Sequence, residues 1–199
     1  EYRAKQLLER AGIAFPPGGF AAGADEAKAI AARVGYPVAL KAQSARLSHK
    51  SDAGGVILNV DDDAAMDAAW DRLYANVAAY DASLTLDGVQ VEAMGRRGVE
   101  MIVGAKSDPE WGPVILVGFG GVQAELHKDV RLIAPDLAAE AIEEELLALK
   151  GAALLTGFRG SPPLDITALA GLVEKLSAVM RGTSSIAEID LNPVVVLPQ

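Results

Sequence analysis

Segments with helical spacing and short strand-like runs follow one another along this chain, and that order narrows its fold more than any other feature. A helix is expected from about Tyr2 to Ala11, where Ala4, Leu7, Leu8 and Ala11 share a face and Gly12 supplies a stop. A second is expected from an N-cap at Asp25, with Ala27, Ile30, Ala31 and Val34 at helical spacing and Gly35 and Pro37 ending it. Pro37 to Lys41 reads as a short buried strand, Gln43 to Gly55 as a polar loop and Val56 to Val60 as a strand. Asp61 to Asp63 open a long helix whose Met66, Trp70, Leu73 and Val77 form a core stripe. After the turn dipeptide Asp87-Gly88 the pattern becomes strand-rich, with runs at Val89 to Met94, Val99 to Ala105, Pro113 to Val117, Val122 to Leu126 and Val130 to Ile133. Helices at about Leu137 to Leu149 and Asp165 to Met180, then a strand pair at Ile186 to Leu191 and Val194 to Leu197, complete the pattern. The expected class is α+β (mixed α/β), in two lobes at 1–88 and 89–199, and a cleft between lobes is a common ligand site.

Composition removes several classes of function. With 51% hydrophobic and 23% charged residues, the chain of 199 is a globular domain or a pair of small lobes. It has no cysteine, which excludes disulfides, thiolate metal sites and a cysteine nucleophile. A net charge of −9 argues against a general nucleic-acid binder. No apolar run approaches the roughly 20 residues that span a bilayer, and Glu1-Tyr2-Arg3-Ala4-Lys5 is not a signal peptide. A cytoplasmic protein without membrane or nucleic-acid partners is expected. The missing initiator Met fits a processed chain or a segment of a longer one.

Four features carry possible chemistry. Lys41 ends an apolar strand, ordinarily an edge position, but here it opens a loop holding Ser44, Arg46, Ser48, His49, Lys50, Ser51 and Asp52 before Gly54-Gly55. His49 lies among cationic groups suited to phosphate, and a neutral imidazole can carry a phosphoryl group covalently. The other histidine, His127, reads as structural. Gly118-Phe119-Gly120-Gly121 lets backbone N–H groups approach an anion, although it is neither a Walker A loop nor a dinucleotide fingerprint. In the strand Glu188-Ile189-Asp190-Leu191-Asn192-Pro193, alternate side chains place Glu188, Asp190 and Asn192 on one face. Three oxygen-bearing groups there suit Mg²⁺, a hard cation usually held by few protein oxygens.

Several motifs in order resemble one family. Lys5-Gln6-Leu7-Leu8 with Gly12-Ile13, and Gly35 to Lys41, resemble the start of an ATP-grasp domain. Ser48-His49-Lys50-Ser51-Asp52-Ala53-Gly54-Gly55-Val56 is similar to the His-Lys-Ser-Asp-x-Gly-Gly-Val signature of NDP-forming acyl-CoA synthetases. Gly98 to Gly104, Asp108-Pro109 with Gly112-Pro113, Gly118 to Gly121 with Glu125, and Glu188 to Pro193 follow in that family's order.

The resemblance implies an ATP-grasp fold whose two lobes hold ATP or ADP between them. It implies His49 as a phosphohistidine on a swinging loop, Asp190 as the acid that steadies it, and Asn192 with Glu188 as ligands of Mg²⁺. Lys41 matches the nucleotide-phosphate lysine. Glu92, Ala93 and Met94 match the hinge that holds adenine by backbone groups and ribose by an acidic side chain. Glu100, Gly120 and Gly121 complete the expected nucleotide set. The implied reaction converts a carboxylic acid, CoA and ATP to acyl-CoA, ADP and phosphate. CoA would be bound by a ligase domain or α subunit acting as partner. The family's usual acidic residue past the last strand, in a segment resembling Val-Asp-Ala-Arg, falls beyond Gln199. Two other readings compete: the regulatory ATP-grasp region of a fused protein lysine acetyltransferase, and a non-catalytic nucleotide-binding module.

Overall fold

The computed structural model describes residues 1–47, 49–121 and 129–198. Ser48, the expected strand Val122 to Leu126, and with it Glu125, His127 and Lys128, lie outside the described residues. Two compact units form, one from Glu1–Leu7 and Ala14–Gly95, the other from Leu8–Ile13 and Arg96–Gln199.

The first unit holds helix α1 (Tyr2–Arg10) up to Leu7, strand β1 (Gly18–Ala21), helix α2 (Ala24–Val34), strands β2 (Val38–Gln43) and β3 (Val56–Val60), helix α3 (Asp63–Tyr80) and strand β4 (Gly88–Ala93). Its sheet is antiparallel throughout, in the order β1-β4-β2-β3. One face is the core: Val38, Leu40, Ala42, Val89, Val91 and Ile57 pack with Ala27, Ile30 and Ala31 of α2 and with Met66, Leu73 and Val77 of α3. Burying each of the larger side chains contributes about 1.5–3 kcal/mol. Trp70 lies at the margin of that core, its ring 5.3 Å from Tyr74. Asp62 caps α3 by accepting from Ala65 N at 2.7 Å.

Three expectations change in this unit. The N-cap of α2 is Gly23, not Asp25; Glu26 in the first turn reaches back to accept from Ala22 N at 2.7 Å, so the acids serve the helix from inside it. Gly18–Ala21 forms a strand that apolar spacing did not reveal, because its pairing with β4 creates it. The division falls near residue 95 rather than 88, since β4 hydrogen-bonds to both β1 and β2.

The second unit holds strands β5 (Val99–Asp108), β6 (Gly112–Phe119) and β7 (Val130–Ile133), helices α4 (Ala139–Leu147), α5 (Ala153–Thr156) and α6 (Ile166–Gly182), and strand β8 (Glu188–Val196). Among the described residues its sheet order is β7-β6-β5-β8, with neighbours antiparallel. Leu169, Ala170, Val173, Leu176 and Met180 of α6 are buried at helical spacing, as are Met101, Val103, Ala105, Ile115 and Val117 of the sheet. Gly118 and Phe119 belong to β6, so the glycine loop is shorter than its sequence suggested. The expected C-terminal strand pair is one strand. Val103 pairs with Leu191 and Met101 with Val194, which leaves Asn192 and Pro193 opposite Ile102 alone. A bulge there absorbs the proline, which has no N–H for the ladder.

Candidate functional site

Alternation along β4 builds the first half of the site. Val89 and Val91 enter the core, so Gln90 and Glu92 face the other side of the sheet. Lys41 of β2 is the register partner of Gln90, and its Nζ donates to Glu92 Oε2 at 2.7 Å. Lys5 of α1 donates to Glu92 Oε1. Glu1 lies 2.8 Å from Lys5, 3.6 Å from Lys41 and 3.0 Å from Lys50. Burial pulls the Lys41 ammonium down, but the hydrogen bond and charge of Glu92, then the charge of Glu1, outweigh it and hold Lys41 above the ordinary lysine value. Burial likewise pushes the Glu1 carboxyl up, and Lys5, Lys41 and Lys50 together hold it well below the usual carboxylate range. Gln90 Nε2 lies 3.4 Å from Glu92 Oε1, while its buried Oε1 has no partner among the described residues. Buried acceptors are ordinarily satisfied, so this oxygen stands out as an unspent acceptor beside Glu92.

His49 belongs to the same unit. It is exposed, between the buried side chains of Leu47 and Ala53. The segment folds back on itself: Gly54 N donates to Ser51 O at 3.0 Å, and Gly55 N to Lys50 O at 2.8 Å. Ala42 N donates to Gly55 O at 2.8 Å, closing the loop where β2 ends and β3 begins. Arg46 binds Ser83 through its backbone O and its Oγ at 3.1 and 3.0 Å. Gly54 has φ +61°, a left-handed conformation that favours glycine, and its carbonyl accepts from Asn76 Nδ2 at 3.0 Å. The histidine is thus an exposed imidazole on a short arc whose flanks are anchored.

In the segment expected as the adenine hinge, two backbone amides are already engaged. Ala93 N and Met94 N are spent on Pro17 O and Pro37 O at 2.8 and 3.0 Å, so an adenine held there must use other backbone groups. The Glu92 side chain, 3% exposed, faces two lysines rather than open solvent.

In the second unit, the sheet face opposite the helices carries the expected residues. Gly120 N donates to Glu100 O at 2.7 Å, and a Cβ on Gly121, whose φ is +61°, would stand 3.0 Å from Glu100 Oε2. Glu100, Gly120 and Gly121 therefore sit together. Glu188, Asp190 and Asn192 are exposed on β8, with Ile189 and Leu191 half-buried between them. Asp190 pairs in register with Gly104, and Glu188 with Lys106. Partial desolvation, then the like charge of Glu188, raises the Asp190 carboxyl above its ordinary value. A divalent cation fits this donor set: two carboxylates and an amide oxygen on one open face leave the remaining positions to water and phosphate. Among the described residues no three His, Cys, Asp or Glu side chains converge, so the chain offers an open face rather than a closed cage.

All residues from 1 to 199 match the family model described as an ATP-grasp domain. The chain belongs to that family. It is 58% identical over 198 residues to trans-feruloyl-CoA synthase FCS1 of an unknown prokaryotic organism, and covers 100% of this chain but 28% of that protein. It is 34% identical to the β subunit of acetate–CoA ligase [ADP-forming] II of Pyrococcus furiosus, covering 98% of this chain and 84% of that subunit. The chain thus spans less than a third of the first relatives and most of a separate β subunit. Among solved structures, the dinucleotide-forming acetyl-coenzyme A synthetase 1 of Ca. Korarchaeum cryptofilum, in complex with coenzyme A, Ca-AMPCP and HgCl⁺, superposes with a TM-score of 0.94 at 34% identity, over 98% of this chain and 86% of that one. Another structure of that enzyme, with coenzyme A and Mg-AMPPCP, has its phosphohistidine segment pointing towards the nucleotide-binding site; it matches at TM-score 0.84 and 33% identity, over 100% of this chain and 85% of that one. The ATP-grasp fold in α+β form is thereby established, and no helix among the described residues is long and apolar enough to cross a membrane.

Alternation in Val89-Gln90-Val91-Glu92 was the signal for Gln90, which the sequence reading passed over. Lys5 stands in the motif at the start of the chain, but nothing there signals its pairing with Glu92, because a lysine in a first helix reads as surface.

Proposed function

We propose that this chain is the phosphoryl-transfer part of an NDP-forming acyl-CoA synthetase, with His49 as the phosphoryl carrier. The observation that carries the reading is the exposed His49 on an arc anchored by Leu47 and Ala53, in the same unit as the Lys41 ammonium. An imidazole nitrogen of His49 attacks the γ-phosphorus of ATP; the N–P bond forms, the P–O bond breaks, and ADP leaves with the electron pair. Such transfer depends on alignment and charge neutralisation. Lys41 is suited to hold the nucleotide phosphates, Gly120 and Gly121 to give them close backbone approach, and Glu100 to take a ribose hydroxyl. Glu92, Ala93 and Met94 form the adenine hinge, with the Glu92 side chain acting through Lys41.

Asp190 is assigned to steady the charged imidazole, as a carboxylate fixes a histidine's tautomer. Asn192 and Glu188 would hold Mg²⁺, which supplies charge neutralisation on the transferring phosphoryl group when bound. A CoA-binding ligase domain or α subunit, as partner, would take the phosphoryl group onward to the carboxylic acid and CoA. The 58% identity to a feruloyl-CoA synthase makes aromatic acids the first class to assay.

The test is His49→Ala in the full protein, given γ-labelled ATP. Loss of label on the protein and of acyl-CoA formation is expected. Normal labelling of the variant refutes the assignment.

A further inference from the structure

The proposed work of Lys41 creates a charge problem at Glu92. That side chain is 3% exposed, and Lys41 is bound to its Oε2 at 2.7 Å. When Lys41 turns its ammonium to a nucleotide phosphate, Glu92 loses a counter-ion, and removing one partner of a buried pair strands an uncompensated charge. That cost falls directly on nucleotide affinity. Glu92, however, has a second cation on its other oxygen: Lys5, side chain 14% exposed, reaches Oε1 from α1. Around these, Glu1 faces Lys5, Lys41 and Lys50, and Gln90 Nε2 faces Glu92 Oε1. Three lysine ammonium groups (Lys5, Lys41, Lys50) thus stand against two carboxylates (Glu1, Glu92).

We infer that Lys5 is a positioning residue: it keeps the buried Glu92 carboxylate neutralised while Lys41 transfers its ammonium to the nucleotide phosphate. Glu92 parks Lys41 in the empty state, and Lys5 makes the parking reversible. The inference rests on the reading of Lys41 as the nucleotide-phosphate lysine. It differs from a structural role for Lys5 in one respect, because Lys5 matters only while residue 92 is charged.

The experiment measures ADP affinity by titration calorimetry, and labelling from γ-labelled ATP, in the full protein carrying Lys5→Met, Lys5→Arg, Glu92→Gln, or Lys5→Met with Glu92→Gln. Lys5→Met is expected to weaken ADP binding by about tenfold or more, the scale of one charge-assisted hydrogen bond. Lys5→Arg keeps the charge and stays within about threefold of wild type. In the Glu92→Gln background, adding Lys5→Met changes ADP affinity by less than about twofold, since no buried anion remains to be held. ADP binding by Lys5→Met at wild-type strength overturns the inference, as does a tenfold loss that persists in the Glu92→Gln background. If Lys5→Met alone does not fold, the comparison of Glu92→Gln with the double variant decides by itself. A wild-type protein that neither binds ADP nor labels overturns the functional reading and this inference with it. A wild type that does both, beside an unaffected Lys5→Met, overturns the inference alone.

Discussion

Gly54→Ala probes the foot of the histidine arc. Gly54 adopts φ +61°, and holding an L-residue in that left-handed region costs roughly 1–2 kcal/mol. A Cβ there would meet Asn76 Nδ2 at 2.8 Å and Asn76 Cβ at 3.0 Å. Asn76 has to withdraw, and its 3.0 Å hydrogen bond to Gly54 O is lost with it, for about 1 kcal/mol net. The expected total is about 2–3 kcal/mol. Urea unfolding followed by tryptophan fluorescence reads it well, because Trp70 sits at the margin of the first unit's core while Trp111 is 82% exposed and changes little. Asn76→Ala removes the amide that crowds at 2.8 Å and the hydrogen bond with it but keeps the Cβ at 3.0 Å, so Gly54→Ala in that background should cost the backbone share and a small remainder of the crowding, leaving a coupling energy of about 1 kcal/mol. Additive costs of the two substitutions would refute the steric part of the argument. A cost for Gly54→Ala below about 0.5 kcal/mol would refute the backbone part.

In the second unit, Asp129 accepts from Lys150 N and Gly151 N at 3.0 and 2.8 Å, so Asp129→Ala strands two N–H groups and should lower stability by about 2 kcal/mol, read by urea unfolding followed by far-ultraviolet circular dichroism. For Asp190, whose carboxyl is raised by desolvation and by Glu188, the folded state binds its proton more tightly than the unfolded chain does. Its contribution to stability is therefore present below the unfolded value of about 3.9 and is lost as pH rises through the folded value. Glu188→Gln should move the Asp190 midpoint back down, read from its carboxyl carbon shift by NMR. An unmoved midpoint would mean that desolvation acts alone.

Much of the fold was legible because apolar spacing reports burial directly. Val56 to Val60 and the Met66, Leu73, Val77 stripe are where periodicity placed them, as each is set by its own core contacts. What periodicity does not encode is pairing. Gly18–Ala21 has little intrinsic strand preference and is extended because β4 lies beside it. Pro193 divides a strand on paper, yet β8 continues through it because the bulge opposite Ile102 asks for no N–H there. The site divides the same way. Exposed His49 and the alternation of Glu188, Asp190 and Asn192 follow from local sequence. The joining of Lys5, Lys41 and Glu92 depends on α1, β2 and β4 coming together, which spacing within any one element cannot announce.

The two-sided character of β4 also bears on how the first sheet finds its alignment. A slip of one residue against β1 or β2 would drive Gln90 and Glu92 in among Met66, Leu73 and Val77, and turn Val89 and Val91 toward Lys5 and Lys41. Each wrong alignment would then bury a carboxylate among hydrocarbons and leave two lysines facing valines. The polar groups of β4 and the two lysines they face therefore also reject misaligned pairings while the chain folds, and a variant that neutralises them would loosen strand alignment.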